Sequence, residues 1–402
     1  MKLGKKLTHQ TNQGERPLNA SRGPKTVKIL HVLGRMGAGG LENWLIQVLR
    51  HMDRKQMQID LLVREAGLYD REAQALGANI FVVPYPSSPP VFAARFFRLL
   101  REHGPYQIIH SHLPLSGFIL FLARWAGVPG RIFHCHIDET ILKTKVNWRR
   151  RFSLALSRHL IRKYATHGLA VSRVAAVGIF GDNWQSDPRW RFFPCSIDLA
   201  PFTAPVDRQE VRRDLGIPAP AWVIGHVGRF FAQKNHAFLV EIAREVVNRE
   251  PQAYFLLIGD GPLKPAIQEK VEQAGLTRNF IFTGVRRDVP RLMQGAMDAF
   301  LFPSFFEGMP LVMIEAQGAG LPCMVNEDIA EEAVVIPTLV QRLSLETSAA
   351  AWAGALLAIK DSPPTLSPRE ALAQIENTFF DIRTNVARLE ALHRQLVTAV
   401  GA

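Results

Sequence analysis

Twice along this chain, short apolar runs alternate with stretches of helical spacing, and that rhythm constrains the fold more than any other feature. VKILHVL (27–33) runs into the glycine turn GRMGAGG and then into LENWLIQVLRHM, where Leu41, Leu45, Val48 and Leu49 share one helical face. Strand-like runs follow at 59–63, 80–84, 107–112, 131–137 and 167–172, with helical patterns at 91–103 and 115–126 between them. A second series begins after Asp198. Its strands are expected at 221–228, 253–261, 279–284, 298–304 and 322–326, and its helices near 236–249, 262–274 and 287–295. Strand, crossover helix and strand in this order build a parallel sheet. The fold class is therefore α/β, with two Rossmann-like domains in tandem, and 402 residues that are 47% hydrophobic suffice for two cores.

The expected organisation is a basic tail over 1–26, a first domain over 27–200 and a second over 201–378, followed by a C-terminal helix over 379–402. Helical spacing is visible over all of 367–398, but spacing alone does not fix which domain that stretch packs on. The tail lacks the apolar segment of a signal peptide and is expected to be disordered. The longest apolar stretch is interrupted by Arg124 and is too short to span a bilayer. Cys135, Cys195 and Cys323 lie far apart, which excludes a zinc ribbon or disulfide framework and suits a reducing compartment. A net charge of +12 calls for an acidic partner, and its distribution narrows the choice. Residues 27–200 carry 23 basic groups against 12 acidic, whereas 201–402 carry 19 against 23.

The richest segment for chemistry is FPSFFEGMPLVMIEAQGAGLP (302–322). A strand ends at Pro303-Ser304, a loop presents Glu307 and Gly308, and Pro310 stands at a helix start. The free amides near Gly308, Met309 and Leu311 suit an anionic diphosphate. Glu307 stands in the loop before those amides, and Glu315, about a turn and a half further on, can accept hydrogen bonds from ribose or sugar hydroxyls. Met alone, the segment is also an ordinary strand-loop-helix with two solvated glutamates. HVGRFFAQKNH (226–236) changes the balance. Gly228 and Arg229 leave a strand end and Lys234 follows five residues later, so two cations can neutralise a diphosphate leaving group. A solvated basic loop is the plainer alternative.

Together, G-R-x4-K-N and E-G-x-P-L-x-x-x-E-A resemble the retaining glycosyltransferases called group 1 or family 4, which have the GT-B fold. HVLGRMGAGGLENWL, IIHSHLPLSG, SIDLAPF, LIGDGP and FFDIRTNVARLEALHRQL extend the resemblance over most of the chain, toward the exopolysaccharide and capsule branch. It implies two domains facing a cleft, with the C-terminal helix crossing back to the first. It also implies that Arg229 and Lys234 hold the donor diphosphate beside Gly228, that Glu315 binds the ribose, and that Glu307 (the first carboxylate of E-x7-E) faces the donor sugar. Amides of Gly308, Met309 and Leu311 would assist, and Gly39 and Gly40 would let the chain approach the diphosphate and acceptor. Without the resemblance, the two glycines read equally well as an ordinary strand–helix turn.

Histidines crowd two strand ends. His112 matches the position of the resembled family that faces the reacting sugar, with a buried core histidine as the alternative. His136 and Asp138 are candidate acceptor-side groups, and no role is assigned to His110 or His134. No acidic ligand shell accompanies them and the resembled enzymes need no metal, so neither metal nor other cofactor is expected. The sequence departs from the resembled N-G-I-D turn, carrying C-S-I-D (195–198) instead, which alters turn chemistry near the acceptor edge.

No acidic residue occurs from Thr140 to Gly181. Arg149, Arg150, Arg151, Arg158 and Arg162 lie there, with Phe152, Leu156 and Leu160 recurring every four residues. This pattern suits an amphipathic helix on an anionic membrane, or a docked helix with a solvated cationic face. The resemblance implies transfer of a sugar from a nucleotide-sugar, with UDP the expected nucleotide, to a saccharide or lipid-linked saccharide, with retention of configuration. The expected setting is the cytoplasm, peripheral on the inner face of the plasma membrane, in cell-surface polysaccharide synthesis. Rival readings are another GT-B enzyme such as a sugar-nucleotide epimerase, a catalytically dead scaffold, and a basic nucleic-acid-binding protein. E-x7-E with R-x4-K argues against the first two. The third lacks any nucleic-acid motif and leaves the second domain's acidity unexplained.

Overall fold

In the computed structural model, residues 26–37, 39–84, 88–136, 148–362 and 366–401 are described. Residues 1–25 of the basic tail and Asp138 lie outside them. The first series forms a seven-stranded sheet of β1 (Val27–Leu33), β2 (Met57–Val63), β3 (Ile80–Val82), β4 (Ile108–Ser111), β5 (Gly130–Cys135), β6 (His167–Ala170) and β7 (Trp190–Phe192). Its spatial order is β3-β2-β1-β4-β5-β6-β7. The second forms a six-stranded sheet of β8 (Trp222–Val227), β9 (Ala253–Ile258), β10 (Phe280–Gly284), β11 (Ala299–Phe302), β12 (Cys323–Asn326) and β13 (Val340–Leu343), ordered β10-β9-β8-β11-β12-β13. Every pairing in both is parallel. Helices cover both faces, and the strands are buried as continuous apolar runs, as a two-faced parallel sheet requires.

Each sheet has one place where the strand order reverses, between β1 and β4 in the first and between β8 and β11 in the second. In open α/β sheets, ligands settle at such switch points, beyond the carboxyl ends of the strands. The glycine turn leaves β1, the HSH segment leaves β4, G-R-x4-K leaves β8 and E-G-x-P leaves β11. All four sequence motifs therefore emerge at the two crevices.

The stretch 367–398 departs from its expected single helix. It is split into helices Pro368–Ile375 and Ile382–Gly401. Asn377 adopts φ 65° between them, a conformation that ends a helix. At the break Ile197 N donates to Phe380 O (2.9 Å) and Ile382 N to Ile197 O (3.0 Å), so two chain crossings pair where the domains join. The last helix then packs on the first domain. Trp44 Nε1 of helix Gly40–His51 donates to Asn385 Oδ1 at 2.9 Å, and Asp53 N donates to Glu390 Oε1 at 2.7 Å.

Candidate active site

Behind β8 the backbone tightens on itself. Gly228 N donates to Ile258 O at 2.9 Å, and a Cβ on Gly259 (φ 139°) would fall 2.1 Å from Gly228 O, so glycine is required there. Lys234 thereby reaches the loop after β11, where its Nζ lies 2.7 Å from Glu307 Oε1. Gln233 Nε2 braces the same loop, donating to Phe306 O at 2.8 Å and Glu307 Oε2 at 3.1 Å, while Phe305 N donates back to Gln233 O. Lys234 also sits 4.5 Å over the Phe302 ring. A largely buried pair of this kind is preorganised, because neither side chain has solvent freedom to lose on binding a ligand.

Arg229 is exposed at the cleft and forms no ion pair among the described residues; its guanidinium lies 5.1 Å over Phe231. Helix Leu311–Gly318 follows the Glu307 loop. The amides of Gly308 and Met309 donate to nothing among the described residues, and so remain available to an anion. Leu311 differs from expectation, because its amide donates to Met309 O at 3.1 Å. Glu315 projects from the second turn of this helix, half-buried, and burial pushes its carboxyl up to about 7.

The first domain faces this group. A Cβ on Gly40 would lie 3.8 Å from Leu311 Cδ1, which places the glycine turn opposite the helix start. The carboxylate of Glu42 accepts from the Gly39 amide and feels the charges of Arg229 and Arg35, while burial raises its pKa above the ordinary carboxylate value. It thus holds an amide of the very helix start expected to serve an anionic ligand. Sequence reasoning missed Glu42, although a carboxylate two residues past a glycine pair in a first turn was a readable sign.

His112 is buried at the end of β4 with both ring nitrogens engaged, Nε2 to His31 Nδ1 at 2.9 Å and Nδ1 to His136 Nε2 at 2.8 Å. His136 continues the chain to Cys195 Sγ at 3.5 Å, so the departure from N-G-I-D adds a link here. His134 Nε2 lies 2.8 Å from Phe193 O. His31, His110 and His393 complete a group of six, stacked or edge-on against one another. Burial, then the neighbouring imidazoles, holds His31, His110, His112 and His136 well below the usual histidine range; burial lowers His134 to about 4 and His393 to about 3. All are neutral at pH 7. His31 and His393 carried no signal as isolated histidines in apolar runs, since only folding brings them to the strand ends.

Helix Trp148–Tyr164 buries Leu154, Ser157 and Ile161 against helix Ser116–Trp125. A Cβ on Gly117 would lie 2.4 Å from Ser157 O, so the two backbones meet at that glycine. The opposite stripe is apolar and open, with Trp148 72%, Phe152 66% and Leu156 48% exposed. Arg149, Arg150 and Arg151 flank it. Arg158 and Arg162 instead turn to the end of helix Arg173–Phe180, donating to Gly178 O at 3.4 Å and Ile179 O at 2.9 Å. Those two serve a helix C-terminus, where cations are favoured. No helix among the described residues is long and apolar enough to cross a membrane.

Residues 221–361 match the family described as glycosyl transferases group 1, and residues 39–195 match the glycosyl transferase 4-like domain. EpsF of Bacillus subtilis (strain 168), a glycosyltransferase by assignment, is 36% identical over 372 residues, covering 90% of this chain and 95% of that protein. The UDP-Gal:alpha-D-GlcNAc-diphosphoundecaprenol alpha-1,3-galactosyltransferase of Escherichia coli is 26% identical over 320 residues, covering 75% of this chain and 79% of its own length. Among solved structures, HepE of Anabaena in complex with UDP-glucose superposes with a TM-score of 0.76 at 18% identity, over 92% of this chain and 99% of that one.

Proposed function

This chain belongs to the group 1 glycosyltransferases of GT-B fold, and on that premise we propose that it moves a sugar from a UDP-sugar to a saccharide or lipid-linked saccharide during cell-surface polysaccharide synthesis, with retention of anomeric configuration. The observation that carries the reading is the Lys234–Glu307 pair, fixed at one switch point opposite the glycine turn and His112 of the other. Arg229 and Lys234 take the charge that develops on the departing diphosphate, and the amides of Gly308 and Met309 hold its oxygens. Glu315 accepts the ribose hydroxyls. Glu307 faces the donor sugar, oriented by Lys234 and Gln233. His112, neutral and clamped on both nitrogens, faces the anomeric carbon, where charge builds as the bond to phosphate breaks. The leaving phosphate takes the acceptor proton, so this route needs no separate base and no metal.

The donor named for the Escherichia coli relative and the nucleotide in the HepE complex both support a UDP-sugar. The diphosphoundecaprenol of that relative's name supports a lipid-linked acceptor, approached near Gly40 and His136. Such an acceptor lies at the cytoplasmic membrane face, and Arg149, Arg150, Arg151, Trp148, Phe152 and Leu156 form the surface proposed to meet it. On this reading the protein works in the cytoplasm, peripheral on that membrane.

Lys234→Ala and Glu315→Ala are expected to cut kcat/KM by about a hundredfold or more and to weaken stabilisation by UDP in a thermal-shift assay. GDP and ADP serve as comparisons. Unchanged transfer and unchanged UDP binding in both variants would reject the donor site. The configuration is read by NMR of the product, and an inverted anomeric carbon would sink the retaining mechanism.

A further inference from the structure

The hydrogen bonds at the two strand ends fix one bare nitrogen and allow two more. His134 Nε2 faces the carbonyl of Phe193, which can only accept, so Nε2 carries the proton and Nδ1 is an unprotonated lone pair. That Nδ1 is buried and has no hydrogen-bond partner among the described residues. His112 and His136 have equivalent outward bonds available to them. His112 Nε2 can donate to His31 Nδ1, and His136 Nδ1 can donate to Cys195 Sγ. With those protons outward, His112 Nδ1 and His136 Nε2 are both bare and face each other at 2.8 Å. Without a metal, one of the two keeps its proton and donates to the other; with both protons turned outward, a cation between them takes the place of that hydrogen bond. Nitrogens of His112, His134 and His136 all lie within 4.8 Å of one another.

We propose that His112, His134 and His136 form a site for one transition-metal dication of the Zn2+ or Co2+ kind, and that its occupation blocks the transfer site beside it. Each ligand then donates its second ring N–H to a fixed outer partner, which is the arrangement that orients metal-binding histidines. Three neutral imidazoles without carboxylates select zinc, cobalt, nickel or copper over magnesium and calcium. Zinc–nitrogen bonds of about 2.0–2.1 Å need a ligand separation of about 3.3 Å in a tetrahedron, so the His112–His136 pair opens by roughly half an ångström and His134 adjusts from within the 4.8 Å of the group. No proton has to leave, because binding only selects a tautomer. A second group of histidines, His31, His110 and His112, is equally close but lies wholly in the core. His136 is half-buried, so the chosen site is the less enclosed of the two. Binding occupies the His112 ring, and the inhibitory part of the proposal therefore rests on the role of His112 given above. Free transition metal would stop transfer without being needed for it.

The test uses full-length protein stripped with chelator and titrated with Co2+, read by visible absorption, with Zn2+ as competitor. One equivalent with a tetrahedral Co2+ band, displaced by Zn2+, is expected. His134→Gln should weaken binding by about tenfold or more, and Cys195→Ala, which removes an outer partner, by about tenfold. His110→Gln should leave it unchanged, and stabilisation by UDP reports that each variant is folded. Absence of the band, or a loss in His110→Gln but not in His134→Gln, overturns the site. Zn2+ should inhibit wild-type transfer, reversibly with EDTA, and spare His134→Gln; inhibition that is equal in both overturns the block. Should the metal-free protein transfer no sugar at all, the proposed function falls, and the Co2+ titration still decides the site.

Discussion

At the scale of single residues, Glu315 and Lys234 are opposite cases in one crevice. Lys234 has its counter-charge in place at 2.7 Å, whereas Glu315 has no hydrogen-bond or ion-pair partner among the described residues and is protonated through much of the neutral range. Its folded value, about 7, lies above the unfolded carboxylate value of 4.5. Its contribution to stability is therefore complete below the unfolded value and is lost as pH rises through about 7. On the proposed role of Glu315, nucleotide binding has the opposite sign, since ribose hydroxyls donate best to the ionised form. Affinity for a UDP-sugar should fall by up to about tenfold per pH unit below 7, and Glu315→Gln should flatten the profile. A UDP-sugar is the right probe because its diphosphate, esterified at both ends, does not titrate there. An equally steep profile in Glu315→Gln would assign the dependence to another group.

Among elements, the helix Trp148–Tyr164 shows what a pattern can and cannot disclose. Its basic and apolar spacing was visible in the sequence, yet Arg158 and Arg162 proved to be spent on carbonyls of helix Arg173–Phe180, a partner that spacing does not encode. Arg149, Arg150 and Arg151 stand beside an exposed apolar stripe. At about 1 kcal/mol per cation near an anionic surface, changing all three to Gln should weaken cosedimentation with phosphatidylserine vesicles by up to about a hundredfold. Trp148→Ala should weaken it further, at all salt concentrations. Binding unaffected by the triple change would mean the stripe meets something other than a membrane. The same logic explains which strands were legible. Every strand with four or more apolar residues was evident, whereas WRF (190–192) and VQRL (340–343), three and four residues at sheet edges, gave no pattern. The split of the final helix was hidden because apolar spacing continues across it while Asn377 turns the backbone. In the candidate site, G-R-x4-K and E-G-x-P stood out in the sequence because each is local to one loop. The histidine network joins residues 31, 112, 136 and 195, and no spacing rule links those.

For the whole molecule, the sheets and their switch points place chemistry from two domains in one cleft, and the C-terminal helix makes the arrangement depend on a distant part of the chain. Asn385 is the central joint. It accepts from Trp44 Nε1 at 2.9 Å and donates to Pro194 O at 2.9 Å and Phe379 O at 3.2 Å, tying the first helix, the inter-domain turn and the returning segment together. Trp44 in turn sets its ring edge-on to those of His112 and His134. Asn385→Ala strands a buried indole N–H and should cost roughly 2–4 kcal/mol in denaturant unfolding. Asn385→Asp keeps the acceptor for Trp44 but loses both donations, so its destabilisation is expected to combine lost bonds with a buried charge. Below saturation with acceptor, Asn385→Ala should lower transfer through the first domain while leaving the KM for the UDP-sugar near wild type, because Arg229, Lys234 and Glu315 stand on the other sheet. A parallel loss of donor affinity would show that the joint governs closure of the two domains, rather than the shape of the first domain alone.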